Sequence, residues 1–396
     1  MKFQEITNGI YFCGLNDCER KIFDELIPLE SGTTYNSYLI KGCEKTALID
    51  TMYPPKTQEY LNNLEENGIN HIDYIIANHG EQDHSGSIPA LLEKFPNVKI
   101  VTNATCKGNI MSMLHVDEDK FIVVKNDDTI SLGDKTLKFM ISPGVHWPDT
   151  MFTYIVEDNA ICTCDFLGAH YTSESCFADY SKELEHSAKR YFAEIMMPFR
   201  IMCKKYTSQV RALNPNWILP SHGPVYDKND FILSLYEDWT SDEGKNLIAI
   251  PYVSMYGSTE EMVDYLKSKF EDKGIKVVKF DIVTGDLGDL AMALVDATSI
   301  IIGSSMVLCS PHPMAANVAY LANLLKPKAK YASFVGSYGW GGNLFGKLTE
   351  MLSGLKFETI EPILVKGKPT QEDFAKLDEM ANEFITKHEN IFLAKV

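Results

Sequence analysis

The sequence predicts an α/β protein of two domains, a mixed α+β domain followed by a doubly wound parallel sheet. Its 396 residues are enough for about two or three domains. Strands and hairpins with few helices dominate up to about residue 240, whereas strands and helices alternate from residue 247 onwards. Regular alternation of this kind implies a parallel sheet with helices on both faces. We predict domains at 1–243 and 246–396, with a polar linker at 236–246.

The first domain is predicted mainly from short apolar and β-branched segments. They are typical of strands, some of them buried, and comprise 36–51 (two strands joined by a turn), 72–79, 98–103, 129–142, 151–165 and 216–223. Residues 85–95 predict a helix that Ser87 caps, with Pro89 in its first turn. Residues 182–213 are predicted to be mostly helical.

The second domain begins with a strand, a tight turn, a helix and a strand over residues 247–282. Two further apolar strands, at 297–306 and 330–340, each run into a loop rich in Gly and Ser. Ligands of open α/β sheets bind at the carboxyl ends of strands. These loops are therefore candidates for a binding site.

Charge and hydropathy exclude several classes of protein. The net charge of −17 argues against nucleic acid as a partner, because phosphate contacts need clustered Lys and Arg. No apolar run approaches the ~20 residues that span a bilayer. The N-terminal residues lack the apolar core and the cleavage site of a signal peptide. We expect a cytoplasmic protein that neither enters a membrane nor binds nucleic acid.

The nine cysteines do not suggest a disulfide framework, since their number is odd and no secretory signal precedes them. Cys162 and Cys164, the closest pair, are expected to pack inside a buried strand rather than to bind metal. The sequence contains no C-x-x-C pair, so we expect no fused rubredoxin-like iron module.

Seven residues that can bind metal follow predicted strands. A loop His taken singly is more often a surface or hydrogen-bonded residue than a ligand, and a polar turn is the simplest alternative for the segment "NHGEQDHSG". The whole set favours a metal site, because strand ends are rigid while loops are free to converge. The residues are His79, Glu81, Asp83, His84, His146, Asp165 and His222.

The order of these residues resembles the metallo-β-lactamase fold, an αββα sandwich whose leading motif is usually His-x-His-x-Asp-His. Glu81 replaces the second His, and a site that mixes carboxylate with imidazole suits redox iron better than zinc. Together with "HWPD" at 146–149, the motif resembles the flavodiiron proteins (A-type flavoproteins), and the resemblance runs along essentially the whole chain. This family includes rubredoxin:oxygen oxidoreductases, nitric oxide reductases and deazaflavin-dependent oxidases.

The resemblance implies a role for each matching residue. It divides six ligands between two irons: His79, Glu81 and His146 on one, Asp83 and His222 on the other, and Asp165 as the bridge. His84 matches a position that the wider fold uses as a ligand, but we place it in the second shell. Trp147 is expected to pack over the site.

Three loops of the second domain resemble the FMN site of flavodoxin. The loop 254–259 lies between a strand and a helix, where backbone N–H groups favour a phosphate, although a plain strand–helix turn is an equally good interpretation of that loop alone. The isoalloxazine ring is expected between the loops 304–310 and 337–342, with Trp340 as its aromatic neighbour. The first ring loop is more apolar than usual, which is expected to shift the flavin potential. The predicted FMN contacts are Ser254, Met255, Tyr256, Gly257, Ser258, Thr259, Ser304, Ser305, Met306, Val307, Leu308, Cys309, Ser310, Ser337, Tyr338, Gly339, Trp340, Gly341 and Gly342.

The implied function is reduction of dioxygen to water or of nitric oxide to nitrous oxide at a di-iron centre that FMN supplies with electrons. By resemblance the external donor is a rubredoxin or a reduced deazaflavin. The family forms head-to-tail dimers in which the flavin of one subunit meets the iron of the other, so we expect a dimer or a dimer of dimers. The alternatives are a di-zinc hydrolase with an appended flavodoxin-like domain, which Glu81 and the flavin loops oppose, and an electron carrier, which the complete ligand set opposes.

Overall fold

The structure, a computed structural model, describes residues 2–23 and 25–393. Residues 1, 24 and 394–396, which the predicted domains include, lie outside the described residues. The chain divides into two compact units, Met1–Thr240 and Ser241–Val396. It stays a prediction that residues 1–243 and 246–396 are domains that fold independently.

The first unit combines strands and helices in the following order. The strands are β1 (Gln4–Thr7), β2 (Ile10–Phe12), β3 (Leu15–Asp17), β4 (Ile22–Phe23), β5 (Ile27–Pro28), β6 (Thr33–Tyr35), β7 (Tyr38–Lys41), β8 (Thr46–Ile49), β9 (Tyr74–Ile76), β10 (Lys99–Thr102), β11 (Phe121–Val123), β12 (Thr129–Ser131), β13 (Thr136–Ile141), β14 (Met151–Ile155), β15 (Ala160–Cys164) and β16 (Trp217–Pro220). The α-helices are α1 (Thr57–Glu66), α2 (Gln82–Ser85), α3 (Ile88–Lys94), α4 (Ala104–Leu114), α5 (Lys182–Tyr191), α6 (Arg200–Leu213) and α7 (Asn229–Trp239).

Two large sheets form the centre of the first unit. Their strand orders are β1-β2-β7-β8-β9-β10-β11 and β12-β13-β14-β15-β16. Side chains from both sheets, among them Ile76 of β9 and Phe139 of β13, form one buried core. Ile75, which points to the opposite face of β9, is equally buried, so the outer face of that sheet is covered as well. These layers agree with the predicted αββα sandwich.

The strand ends place the predicted ligands. β9 ends shortly before His79, and β15 and β16 end directly before Asp165 and Ser221–His222. β15 and β16 run parallel, so their carboxyl ends lie at the same edge of the second sheet. Asp165 and His222 are thereby brought together across more than fifty residues of sequence.

The predicted helices are present with two differences. Ser87 stands at the start of α3, but its side chain makes no capping hydrogen bond. Its hydroxyl instead donates to the Met52 carbonyl at 3.2 Å. The predicted helical segment 182–213 is interrupted between α5 and α6 by a π-turn at Phe192–Met196 and a 3-10 turn at Met197–Phe199, where Pro198 cannot donate a backbone hydrogen bond.

The second unit follows the predicted alternation of strands and helices. Its strands are β17 (Lys245–Val253), β18 (Lys276–Asp281), β19 (Ala297–Val307), β20 (Ser310–Pro311), β21 (Tyr331–Tyr338), β22 (Glu358–Thr359) and β23 (Ile363–Lys366). Its helices are α8 (Ser258–Glu271), α9 (Leu287–Asp296), α10 (Pro313–Leu325), α11 (Leu344–Met351) and α12 (Gln371–Phe392).

The main sheet of the second unit has the order β18-β17-β19-β21-β22, and these neighbours all run parallel. Counted along the chain this is the order 2-1-3-4-5, which is that of flavodoxin. The boundary between the two units, after Thr240, falls inside the predicted linker 236–246. Only residues 240–244 of that linker lie outside regular elements, because α7 extends to Trp239 and β17 begins at Lys245. Among the described residues, no helix has the length and apolar character that a membrane crossing requires.

Candidate functional site

The loops after the strands of the first unit bring all seven predicted metal-binding residues together. Three compact groups form: His79, Glu81 and His146; Asp83, His84 and His222; His84, Cys164 and Asp165. The last two of these groups share His84. The ligand atoms within each group lie within 4.8 Å of one another.

The first group has the spacing of ligands around a single ion. Glu81 Oε2 lies 3.1 Å from His79 Nε2 and 3.3 Å from His146 Nε2. Asp165 Oδ2 lies 3.7 Å from each of these nitrogens. Two ligand atoms at right angles, each about 2.1 Å from one ion, would be about 3 Å apart. Four side chains therefore surround a first cation position.

The second group has the same spacing and uses the other oxygen of Asp165. Asp83 Oδ2 lies 3.1 Å from His222 Nε2 and 3.3 Å from His84 Nε2. Asp165 Oδ1 lies 2.9 Å from His84 Nε2 and 3.4 Å from His222 Nε2. The two carboxylate oxygens of Asp165 thus face different groups, which is the geometry of a bridging ligand.

Two histidines are held with Nε2 turned towards the site. The Thr34 carbonyl lies 2.6 Å from His222 Nδ1, and since a carbonyl only accepts, Nδ1 carries the proton. His79 Nδ1 lies 2.8 Å from Asp149 Oδ1, the carboxylate–histidine arrangement that orients metal ligands. Asp149 also accepts from Gly80 N at 3.0 Å and Asn109 Nδ2 at 2.8 Å. The sequence analysis missed Asp149 although it ends the motif "HWPD".

The electrostatics of the site also fit bound cations. Burial raises the pKa of Asp165, but the imidazoles of His84, His222 and His79 hold it well below its ordinary value. Burial lowers the pKa of His79, but hydrogen bonds to Asp149 and Glu81 raise it well above its ordinary value. Buried carboxylates need positive charge nearby. A metal ion would supply that charge in place of the proton on His79, and the Nε2 atom of His79 would then be free to coordinate the ion. Asp83 Oδ1 is buried without a hydrogen-bond partner among the described residues, as expected for an oxygen meant for an ion.

His84 lies closer to the site than its predicted second-shell position suggests. Its Nε2 is as near to Asp83 and Asp165 as that of His222, so the geometry favours it as a further ligand. The Trp147 ring lies edge-on to His79, with 5.0 Å between ring centroids, beside the site as expected. The roles of the individual residues stay predictions.

The backbone around Asp165 adopts a conformation that the sequence did not indicate. Cys164 and Leu167, on either side of it, have φ angles of 53° and 68°, and such left-handed residues often cluster at functional sites. Tyr191, the last residue of α5, donates its hydroxyl proton to Asp165 Oδ1 at 3.3 Å. Cys162 and Cys164 are buried on β15 as predicted, and all nine cysteines are free thiols.

A cleft of the second unit brings together the three predicted flavin loops. Its lining comes from the carboxyl ends of β17, β19, β21 and β23: Met255, Tyr256, Ser258, Ser305, Met306, Ser337, Tyr338, Gly339, Trp340, Gly367 and Lys368. The sequence analysis missed Gly367 and Lys368, which follow a strand that it did not identify.

The loop 254–259 forms a turn before α8. Gly257 has a φ of 86° and is the last residue before α8, which begins at Ser258. The Ser254 hydroxyl accepts from Glu260 N at 3.2 Å, and the Ser305 hydroxyl accepts from Met255 N at 3.1 Å. These two hydrogen bonds connect the loop to α8 and to β19. They hold it in place, as a phosphate site that exists before the ligand binds requires.

The loop 304–310 differs from its prediction. β19 continues to Val307 and pairs with β20 in a hairpin, which Leu308 and Cys309 turn with φ angles of 50° and 59°. Only Ser305 and Met306 of this loop line the cleft. Across all three loops, the predicted FMN contacts that do not line the cleft are Ser254, Gly257, Thr259, Ser304, Val307, Leu308, Cys309, Ser310, Gly341 and Gly342.

Known proteins resemble the chain along its whole length. The ODP family beta lactamase model matches residues 33–223, and the flavodoxin model matches residues 250–377. A nitric oxide reductase of Moorella thermoacetica is 31% identical over 391 residues, which cover 96% of this chain and 98% of that protein. A flavo-diiron protein of Clostridium acetobutylicum is 31% identical over 395 residues, which cover 96% of this chain and 98% of that protein.

The chain belongs to the flavodiiron protein family. Among solved structures, the rubredoxin oxygen:oxidoreductase of Desulfovibrio gigas superposes with a TM-score of 0.93 at 28% identity, covering 98% of this chain and 99% of that one.

Membership of the flavodiiron family confirms the predicted fold, a metallo-β-lactamase-like unit followed by a flavodoxin-like unit. It also confirms an oxidoreductase with FMN and a non-haem di-iron centre, in preference to a hydrolase.

Proposed function

We propose that this flavodiiron protein reduces dioxygen to water, nitric oxide to nitrous oxide, or both, at a di-iron centre in its first unit. The observation that carries the proposal is the position of Asp165, whose two oxygens face two separate groups of His and carboxylate ligands. A carboxylate in this place would hold both metal ions of a di-iron centre. When bound, the irons and FMN supply the electrons that reduce the gas.

The ligand set suits two irons with open positions. His79, Glu81 and His146 would hold one iron, Asp83 and His222 the other, and Asp165 both. His84 is the candidate for a further ligand of the second iron. This mixed set of imidazoles and carboxylates would leave open positions on irons that accept about five or six ligands each, where a diatomic gas could bind. The anionic Glu81, where the wider fold usually has imidazole, favours iron over zinc.

Two further side chains would contribute to the site. Tyr191 holds its hydroxyl proton at Asp165 Oδ1, and burial raises the pKa of this phenol well above its ordinary value, so it stays protonated at neutral pH. Trp147 packs its ring edge-on against His79 and would add an apolar surface on that side of the site.

In the second unit, the turn 254–259 would hold the FMN phosphate, and Met306, Tyr338 and Trp340 would contact the ring. The segment 246–396 should fold by itself and retain non-covalent FMN, because a doubly wound domain of this size carries its own core. Preference for FAD over FMN in that segment would contradict the phosphate site.

The donor, assembly and location are proposed from family membership. The donor is a rubredoxin or a reduced deazaflavin, and anaerobic mixing with each, followed by flavin absorbance, distinguishes them. The assembly is a head-to-tail homodimer or a dimer of dimers, so activity should fall as dilution yields monomers. A monomer that stays fully active would refute a shared site. We propose a cytoplasmic location, which cell fractionation tests.

Stopped-flow reoxidation tests the function. The fully reduced wild-type protein should be reoxidised rapidly by dioxygen, nitric oxide, or both. Glu81→His should still bind FMN and accept electrons, since the change lies in the other unit, yet lose rapid reoxidation. Glu118→His, at an exposed position of the same unit, should behave like the wild type. Reoxidation at the wild-type rate in an iron-free Glu81→His variant would show that the flavin itself reduces the gas.

A further inference from the structure

A fourth loop of the second unit reaches the flavin cleft. Gly367 and Lys368, which follow β23, line the same cleft as Ser258 and Ser337. Among the described residues that line it, Lys368 is the only one with a charged side chain. A single cation is notable there because the chain as a whole carries a net charge of −17.

The backbone of this loop is anchored on both sides of Lys368. Gly367 N donates to the Tyr338 carbonyl at 2.9 Å and so continues the pairing of β23 with β21. Pro369 follows, and Thr370 begins α12 with a capping box in which Thr370 N donates to Asp373 Oδ2 at 2.9 Å. Lys368 therefore projects from a defined position at the carboxyl edge of the sheet.

The side chain of Lys368 extends to the first turn of α8. Its Nζ lies 3.7 Å from Glu261 Oε2. The first N–H groups of a helix have no acceptor within the helix, and the helix dipole favours an anion at this end. The ammonium group of Lys368 is thus beside the helix end at which the turn 254–259 is proposed to hold a phosphate. Glu261 places a negative charge in the same turn, and Lys368 offsets it.

On the basis of the proposed FMN site, we propose that Lys368 provides the counter-charge for the FMN phosphate. A phosphate monoester carries about −1.5 to −2 charges at pH 7, so both Glu261 and the net charge of the chain repel it. Lys368 reduces this repulsion and adds a direct attraction. It selects FMN over the same flavin without a phosphate. Its side chain is 79% exposed, so the effect is moderate and depends on salt.

Titration of flavin-free, full-length protein with FMN and with riboflavin tests this assignment, with flavin fluorescence as the signal. Riboflavin has the same ring and ribityl chain but no phosphate. Lys368→Gln should raise the Kd for FMN about two- to fivefold, in the upper range of solvent-exposed charge pairs, and leave the Kd for riboflavin unchanged. Lys368→Arg should retain wild-type affinity. Glu261→Gln should lower the Kd for FMN but not for riboflavin.

A matched control separates this effect from a general loss of positive charge. Lys376 of α12 forms a similar exposed pair, 3.1 Å from Glu372, but does not line the cleft, and Lys376→Gln should bind FMN like the wild type. The difference between Lys368→Gln and wild type should shrink at about 1 M salt, where the Debye length is about 3 Å. An unchanged Kd for FMN in Lys368→Gln, or equal weakening for both flavins, would overturn the assignment. Failure of the wild-type protein to bind either flavin would instead overturn the proposed FMN site.

Discussion

Five of the seven candidate ligands of the first unit are buried, among them His79, Asp165 and His222, which are 0%, 2% and 1% exposed, whereas Met255 and Trp340 of the flavin cleft are 47% and 65% exposed. Buried charged groups must be paired or bound to metal, so the fold has to hold each of them in place. The cleft is lined by hydroxyls and one lysine, and its lining ranges from Ser305, 6% exposed, to Tyr256, 92% exposed. Both sites are assembled by tertiary structure, but the first gathers buried charged groups, whereas the second is lined mainly by neutral side chains.

Buried histidines show the same contrast. His79 lies among carboxylates, which raise its pKa. His388 of α12 contacts neutral partners, Ser299 Oγ and Asn246 Oδ1, each at 2.8 Å, and burial lowers its pKa to about 4. His79 thus suits a site that contains several charged groups, whereas His388 suits a core in which its hydrogen-bond partners are neutral.

The largest effect is expected from Asp165→Ala, which removes the side chain whose two carboxylate oxygens face the two ligand groups. Iron should fall from about two ions per chain to well below one, while FMN stays at the wild-type level. Metal analysis and flavin absorbance of the same sample measure both. Asp127→Ala, which removes an exposed aspartate of the same unit, is the control and should keep its iron. An Asp165→Ala variant that retains both irons would refute the bridging role.

Asp149→Asn should have the next largest effect. It keeps the size of the side chain but removes the anion that orients His79, and the loss of such a partner costs about 10–100-fold in metal affinity. Competition with a chelator measures this loss, and FMN content serves as the internal control. Wild-type metal affinity in the variant would mean that the preformed site does not depend on this contact.

The pH dependence of the second unit should come partly from His388. Because its pKa is about 4 in the folded protein and about 6.5 in the unfolded chain, the unfolded state binds the proton first. Its contribution to stability is complete above about pH 6.5 and is lost as the pH falls towards 4, by about 2 kcal/mol at pH 5. Urea unfolding monitored by flavin release at pH 7.5 and 5 measures it.

His388→Gln should flatten this pH dependence of flavin release. His71→Gln, at an exposed histidine of the first unit, should leave it as in the wild type. An equally steep dependence in His388→Gln would show that other groups cause it.

The smallest effect is expected from Ser305→Ala, because the change removes a single neutral hydrogen-bonding side chain. The Ser305 hydroxyl accepts from Met255 N and donates to the Val253 carbonyl. Its loss should cost about 1 kcal/mol and weaken FMN binding severalfold in fluorescence titration. Ser268→Ala, on an exposed position of α8, should change neither. If the free energy of FMN binding falls by more than the free energy of unfolding, the conformation of this loop matters more for binding than the comparison of the two sites suggests.

The sequence by itself determined the features that depend on local patterns. Alternating strands and helices predicted the parallel sheet of the second unit, because periodicity is set by neighbouring residues. The segment "NHGEQDHSG" with Glu81 placed four candidate ligands, and strand ends placed three more. Their convergence was predictable because loops at strand ends point to a common site.

Only the tertiary structure decided the contacts between residues far apart in the sequence. Asp149 reaches His79 from seventy residues away, Tyr191 reaches Asp165 from the end of α5, and both would be ordinary polar residues by local pattern alone. His84 lies among the candidate ligands because α2 turns its ring towards Asp165, a direction that spacing does not specify. Lys368 was missed because β23, the strand that precedes it, is short and half-exposed. Local propensity determines which elements form, whereas the long-range packing of those elements determines which side chains meet.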